Sequence, residues 1–211
     1  MKNNYILFLV LLVFVLLSTV VFTNTLNIEQ LTNNFYSEQL AQEQIDQFIE
    51  SRQKWSWLSY VLMPLVILIR VSLVSLCLSV GIFFYNTESA LKFKQLFRVA
   101  LVGEFVLLWV GVFKWVYFYA IQHTFTLEDI QQFYPLSYIN FLEVESLQPW
   151  LVYPLQTLNL FEVTYFFVLV YGMHKLLKNK YWKSFEITAV SYGTGLLIWI
   201  GLVMFLTLNI S

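Results

Sequence analysis

Five long apolar segments constrain this chain more than any other feature of its sequence. They cover residues 5–23, 57–85, 97–121, 157–177 and 185–208, and each is close to the roughly 20 residues that a helix needs to cross a bilayer. Lipid offers the backbone no hydrogen-bond partners, so such segments form helices, which satisfy their own N–H and C=O groups. Hydrophobic residues make up 59% of the chain and charged residues only 12%. The sequence therefore predicts an all-α fold, a polytopic membrane helical bundle with five transmembrane helices.

The first apolar segment has two interpretations. Residues 1–23 are either a signal anchor that stays as the first transmembrane helix or a signal peptide that is removed. The sequence FTNTLN, which follows the apolar core, has no small-x-small cleavage pattern. We expect an uncleaved first helix.

The positions of Lys and Arg predict the orientation in the membrane. Cytoplasmic loops of membrane proteins carry an excess of these residues. Outside the apolar segments, only Arg52 and Lys54 fall on the side that would face outward. The side that would face inward holds Lys2, Lys92, Lys94, Arg98, Lys175, Lys178, Lys180 and Lys183. The pattern predicts an N-terminus inside, a C-terminus outside and a multi-pass location in the bacterial inner (plasma) membrane.

Polar residues fill an outer segment, 24–56, between the first two spans. Ser37 is a plausible N-cap for an amphipathic helix that runs into the second span. The apolar stripe of this helix would contain Ala41, Ile45, Phe48 and Ile49. Such a helix lies either on the bundle or membrane surface, or serves as a docking site for a partner.

The remaining part of the chain, 57–211, is predicted to form a four-helix membrane bundle with an outer aromatic-rich loop at 122–156. Pro135, Pro149 and Pro154 interrupt any long helix in this loop. We expect short interfacial helices, anchored by Tyr134, Tyr138, Trp150 and Tyr153. A lid over a substrate site is the alternative interpretation of this loop.

Catalytic, metal-binding and nucleic-acid-binding patterns do not occur in the sequence. His123 and His174 belong to opposite membrane faces, so they cannot share a metal ion. Glu143 and Glu145 have no third polar partner nearby and are expected to be solvated. The net charge of -1 gives no basic surface for nucleic acid. We therefore expect a protein that is not an enzyme and has no cofactor.

Charged residues inside the apolar segments are the strongest functional signal, because they are costly in lipid. The second segment, VLMPLVILIRVSLVSLCLSVGIFF, contains Arg70, the third contains Glu104 and Lys114, and the fourth contains Glu162. A helix rises about 1.5 Å per residue, which places Arg70 and Glu104 at matching depths. The same estimate places Lys114 level with Glu162. Two salt bridges, Arg70 with Glu104 and Lys114 with Glu162, are predicted.

Small residues in the spans indicate where helices approach each other closely. In the second span, three serines share one face, while Arg70, Cys77 and Gly81 share nearly the opposite face. The predicted helix-packing residues are Ser72, Ser75, Ser79, Gly103, Gly111, Ser191 and Gly195.

Two entries into spans carry a resemblance to a known family. The segments NTESALKFKQLFRVALVGEFVLL and KYWKSFEITAVSYGTGLLIWIGL place a Lys-x-Phe or Lys-Ser-Phe motif before an apolar helix. This arrangement, with five spans and an inside N-terminus, resembles bacterial Yip1-like membrane proteins over spans two to five. The resemblance implies a membrane scaffold or trafficking-type helper and assigns no functional residue.

Two functions are compatible with these observations. The first is a non-enzymatic integral inner-membrane subunit, or an accessory or scaffold protein, whose partners are the lipid bilayer and other membrane proteins. The alternative is a small transporter or ion-coupled component that uses Arg70, Glu104, Lys114 and Glu162. The lack of an internal sequence repeat argues against a stand-alone carrier.

Overall fold

The protein is helical throughout the residues that its computed structural model describes, which are 2–37, 42–85 and 91–210. Helix accounts for 87% of the structure, and the described residues form no strand. The helices are α1 (Lys2–Thr25), α2 (Ile28–Ser37), α3 (Gln42–Phe84), α4 (Phe93–Ala120), α5 (Leu127–Gln132), α6 (Pro149–Thr157), α7 (Leu160–Leu177) and α8 (Tyr181–Ile210). Two 3-10 turns, Tyr138–Phe141 and Val144–Ser146, lie between α5 and α6.

The prediction of five apolar helices long enough to span a membrane is confirmed. These spans are Asn4–Thr25, Lys54–Phe84, Phe93–Ala120, Leu160–Leu177 and Tyr181–Asn209. The largest differences from the predicted ends, four residues each, are at the starts of the third and fifth spans. At both starts the helix begins in more polar sequence, which a hydropathy pattern does not include in the span.

Four of the spans form a closed bundle. Helix α3 packs on α4, α4 on α7, α7 on α8, and α8 on α3, whereas α1 packs on α4 from outside this ring. The connections α3–α4 and α7–α8 lie at one end, here called the basic end because of its lysines. The segment between α4 and α7 lies at the other end, here called the aromatic end. The buried core contains Val71, Leu78, Leu101, Leu169, Met173 and Ile187.

Helix α1 follows α4 along its length. At the basic end the Asn4 side chain donates to the Lys94 carbonyl oxygen, at 3.2 Å. At the aromatic end the Trp115 indole N–H donates to the Thr25 hydroxyl, at 2.7 Å. Leu11 lies fully buried between these two contacts. The first apolar segment is therefore packed against the helical bundle.

The polar segment after α1 differs from the prediction at its start. Ser37 is the last residue of α2, and its hydroxyl donates to the Asn34 carbonyl oxygen at 2.7 Å, so it is not the N-cap of the next helix. A short helix, α2, was not expected here, and it uses Ser37 at its C-terminal end. The helix that follows does run into the second span without a break, as predicted, and Phe48 packs on Tyr36 of α2 at 4.5 Å between ring centroids. Ala41 of the predicted stripe lies outside the described residues.

The aromatic end is built from short helices, as predicted, and Pro149 begins one of them, but Pro154 lies inside α6 and does not interrupt it. A second cluster of buried side chains, Leu26, Phe118 and Ile130, joins the end of α1 to α4 and α5. Between α5 and α7 the chain is held by Ser137, whose hydroxyl donates to the Leu155 carbonyl oxygen at 3.0 Å. The backbone at Ser137 also pairs with that at Asn159 in an isolated antiparallel bridge. These bonds fix the start of α7, and with it the position of Glu162.

Candidate functional site

Arg70 and Glu104 form the salt bridge that depth matching predicts. The Arg70 Nε–H donates to Glu104 Oε1 at 3.1 Å, and Nη2 pairs with Oε2 of the same carboxylate. This two-point geometry is the strong form of a charge-assisted hydrogen bond. The two residues lie near the midpoints of their spans, Lys54–Phe84 and Phe93–Ala120. The pair therefore joins α3 to α4 where a lone charge would be most costly.

The two members of this pair differ greatly in exposure. The Glu104 side chain is 1% exposed, whereas the Arg70 side chain is 49% exposed on the bundle surface. The carboxylate thus depends on Arg70 for its compensation, while about half of the Arg70 side-chain surface is uncovered.

The second predicted pair, Lys114 with Glu162, is wrong. Glu162 instead accepts a hydrogen bond from the Tyr192 hydroxyl, which joins α7 to α8. Lys114 is half-buried, and Arg70–Glu104 is the one salt bridge among the described residues.

Helix geometry explains this error. Phe113 of α4 meets Phe161 of α7, with ring centroids 5.4 Å apart. Successive helical residues point about 100° apart. The residues that follow these two, Lys114 and Glu162, are therefore turned away from the α4–α7 contact. The depth of a residue along its helix does not determine the direction in which its side chain points.

Tyr165 lies beside the salt bridge and completes the polar cluster. Its side chain is 1% exposed, and its hydroxyl has no hydrogen-bond partner among the described residues. The ring fits against α4 because Gly103 has no side chain, since a Cβ there would lie 2.6 Å from a Tyr165 ring carbon. Arg70 lies within electrostatic reach of both Tyr165 and Glu162. We call Arg70, Glu104, Glu162, Tyr165 and Tyr192 the polar cluster.

The aromatic end reaches the polar cluster through Tyr134. Burial raises the pKa of Tyr134, the negative charge of Glu162 raises it further, and the positive charge of Arg70 lowers it. Tyr134, which lies outside the spans, is therefore within electrostatic reach of the cluster. Tyr153 of α6 also interacts with Tyr134, and its hydroxyl accepts a hydrogen bond from the Trp199 indole N–H at 2.8 Å. Of the two tyrosines predicted as interfacial anchors, Tyr153 thus also bonds to a polar group of the bundle, and Tyr134 lies within electrostatic reach of the polar cluster.

Three predicted packing residues lie in close helix contacts. Gly103 admits Tyr165, a Cβ at Gly195 would lie 2.6 Å from the Cys77 sulfur, and Ser191 packs directly on Gly81. The last two contacts join α3 to α8, and Gly195 lies at the middle of its span.

The predicted role of Gly111 is wrong, because Gly111 is exposed and a Cβ there would meet nothing within 4 Å. The three serines of α3 differ from one another. Ser75 is fully buried, with its hydroxyl donating to the Val71 carbonyl oxygen at 2.6 Å, while Ser72 and Ser79 are half-buried. The side of α3 that faces the core therefore lies between the two faces identified from the sequence.

Other residues considered for chemistry stay apart. Glu143 is exposed at the start of a 3-10 turn, and the side chain of Glu145 lies outside the description. His174 is in the last turn of α7 at the basic end, where its ring meets Tyr181, whereas His123 follows α4 at the aromatic end. Among the described residues, no three side chains of His, Cys, Asp or Glu form a group that could hold a metal ion.

Sequence reasoning missed the tyrosines of the polar cluster. It considered charged and amide side chains in the spans but passed over Tyr165 and Tyr192. A tyrosine in the middle of an apolar span was the available signal, because a buried phenol hydroxyl usually needs a partner. Among the described residues, the Tyr192 hydroxyl and the Glu162 carboxylate have no hydrogen-bond partner other than each other.

Comparison with known proteins gives no relative. No protein-family model, no curated protein and no solved structure matches this chain. The fold and the polar cluster define a class, a helical protein with five helices apolar enough to cross a membrane.

Proposed function

We propose that this chain is a non-enzymatic integral subunit, or an accessory or scaffold protein, of a membrane complex. The observation that supports this proposal is the use of the intramembrane polar groups as links between helices. Arg70 with Glu104 joins α3 to α4, and Glu162 with Tyr192 joins α7 to α8. Polar groups that link helices hold those helices in fixed positions. The bundle then has a defined outer surface, to which a neighbouring subunit can bind.

The resemblance to Yip1-like proteins agrees with a scaffold or trafficking-type helper. We also propose that the basic end faces the cytoplasm of a bacterial cell and that the aromatic end faces outward. The lysines of the α3–α4 and α7–α8 connections support this orientation in the inner membrane.

The proposal is tested by extraction of a tagged protein, expressed at its native level, from membranes of the source organism in mild detergent. Size-exclusion chromatography and mass spectrometry then identify what elutes with it. We expect a hetero-complex with a partner in fixed stoichiometry. A monodisperse monomer or homo-oligomer in several detergents would contradict the proposal.

A small ion-coupled component is the second candidate, and one observation favours it. The Tyr165 hydroxyl is buried, with no hydrogen-bond partner in the described part of the chain, in a cluster that contains two carboxylates. Such a group is suited to bind an ion or a water molecule that moves through the bundle. Reconstitution in liposomes that contain a pH-sensitive dye tests this candidate. Flux that Glu162→Gln abolishes, and that the exposed control Glu143→Gln leaves unchanged, would favour the transporter over the subunit.

A further inference from the structure

Helices α3 and α8 pack closely at Gly81 and Gly195, and side chains beyond these contacts toward the aromatic end are exposed. Ser191 packs on Gly81, and one turn along α8 Gly195 packs on Cys77. Small residues at both positions bring the two backbones together. The next residues on the same stripe of α8, Ile198 and Leu202, are 68% and 46% exposed. The face of α8 that α3 covers at Gly195 is thus uncovered one turn later.

On the stripe of α3 that faces α8, the exposure of the side chains also increases toward the aromatic end. Gly81 is buried, Cys77 is half-buried and Val74 is 8% exposed. The next residues of this stripe toward the aromatic end are Arg70, whose side chain is 49% exposed, and Val66, which is 59% exposed. These exposures indicate an opening between the two helices, here called the α3–α8 cleft, next to Val66, Arg70, Ile198 and Leu202.

The α3–α8 cleft contains hydrogen-bond donors that lack acceptors. A guanidinium has five N–H donors, and only the Nε–H and one Nη2 hydrogen are used by Glu104. The described residues supply no acceptor for the others. Hydrocarbon supplies none either, and unsatisfied polar groups in lipid are unfavourable. The uncovered surface of Arg70 therefore favours an occupant that brings an acceptor to the middle of the span.

The chemistry of the cleft narrows the choice of occupant. A lipid phosphate lies at headgroup depth, whereas Arg70 is held near the midpoint of Lys54–Phe84 by Glu104. A second copy of this chain has Glu104 and Glu162 as its deep acids, and both are already bonded internally. The Arg70–Glu104 pair has no net charge, and Glu162 lies within electrostatic reach of Arg70. An added carboxylate would therefore give the polar cluster an excess of negative charge. An uncharged carboxamide, from Asn or Gln, is the better acceptor.

We infer that the α3–α8 cleft receives a transmembrane helix of a different protein, which carries an Asn or Gln side chain at the level of Arg70. Apolar side chains of that helix pack on Ile198 and Leu202, and its carboxamide oxygen accepts from the free guanidinium N–H groups. This inference rests on the proposed function, because it names the kind of partner and the surface that binds it.

Photo-crosslinking in native membranes tests the inference with a matched control. A photoreactive amino acid replaces either Ile198 in the cleft or its neighbour Leu197, which is 70% exposed and points about 100° away around α8. After irradiation, adducts are purified and the crosslinked peptide is mapped by mass spectrometry. We expect the Ile198 probe, and not the Leu197 probe, to join a transmembrane peptide of another protein that contains Asn or Gln.

A second variant tests the role of the guanidinium. Arg70→Met combined with Glu104→Leu removes the donor without leaving an orphaned carboxylate, so the bundle should still fold. Loss of hydrogen bonds from a charged donor should lower the Ile198 adduct yield about tenfold. Replacement of the mapped Asn or Gln by Leu in the partner should lower it similarly.

Several results would overturn the inference. These are Ile198 adducts only with phospholipid, adducts only with a second copy of this chain, and a yield that is insensitive to Arg70. If a hetero-complex co-purifies but the Ile198 probe does not contact it, the proposed function stands and the cleft assignment fails. If no complex is found, the proposed function itself fails.

Discussion

The Arg70–Glu104 salt bridge gives the sharpest prediction, because its two members are buried to different extents. Arg70→Leu leaves a carboxylate that is 1% exposed without compensation, and removal of one partner from a buried pair costs about 3–5 kcal/mol. Since half of the Arg70 side chain is exposed, we expect the low end, about 3 kcal/mol. Glu104→Leu leaves a guanidinium on a side chain that is half exposed, and should cost less, about 2 kcal/mol.

The double replacement distinguishes a salt bridge from two independent effects. If the two effects were independent, the double Leu variant would lose about 5 kcal/mol, the sum of the single costs. Because apolar side chains leave no orphaned charge, we expect a loss of only about 2 kcal/mol, which corresponds to a coupling of about 3 kcal/mol. The double variant should thus be more stable than Arg70→Leu alone.

Reversible unfolding of the purified protein in mixed detergent micelles measures these free energies. Lys114→Leu is the matched control, because it removes a charge from α4 that forms no salt bridge among the described residues. We expect this control to change the free energy of unfolding by less than either single variant of the pair. Additive losses in the double variant, or a smaller loss for Arg70→Leu than for Glu104→Leu, would refute the reasoning.

Two further predictions concern packing and topology. Gly103→Ala forces a Cβ against the Tyr165 ring and should lower the free energy of unfolding by about 1–3 kcal/mol, whereas Gly111→Ala on the same helix meets no atom and should raise it by about 0.5–1 kcal/mol. Equal effects in the same unfolding assay would show that the close contact is unimportant. In a Cys77→Ser background, a cysteine at position 131 should react with an impermeant thiol reagent from outside intact cells, while one at position 179 should not. Reversed labelling would invert the proposed orientation.

The sequence alone predicted the elements whose causes are local. Apolar length determines which segments can cross a bilayer, so the five spans were found to within four residues. Arg70 and Glu104 were paired correctly because a short connection makes α3 and α4 antiparallel neighbours, and depth along each helix follows from its rise. Prolines likewise predicted that the aromatic end consists of short helices.

Tertiary structure decided which way each helix turns its polar residues. Lys114 and Glu162 were wrongly paired because depth does not specify the direction in which a side chain points. Gly111 was wrongly placed in a contact because a small residue permits close approach without requiring it. The exposure of Ile198 and Leu202 beyond Gly195 depends on the angle between two helices distant in sequence. That angle arises from the packing of all four helices of the bundle, so no single segment contains it.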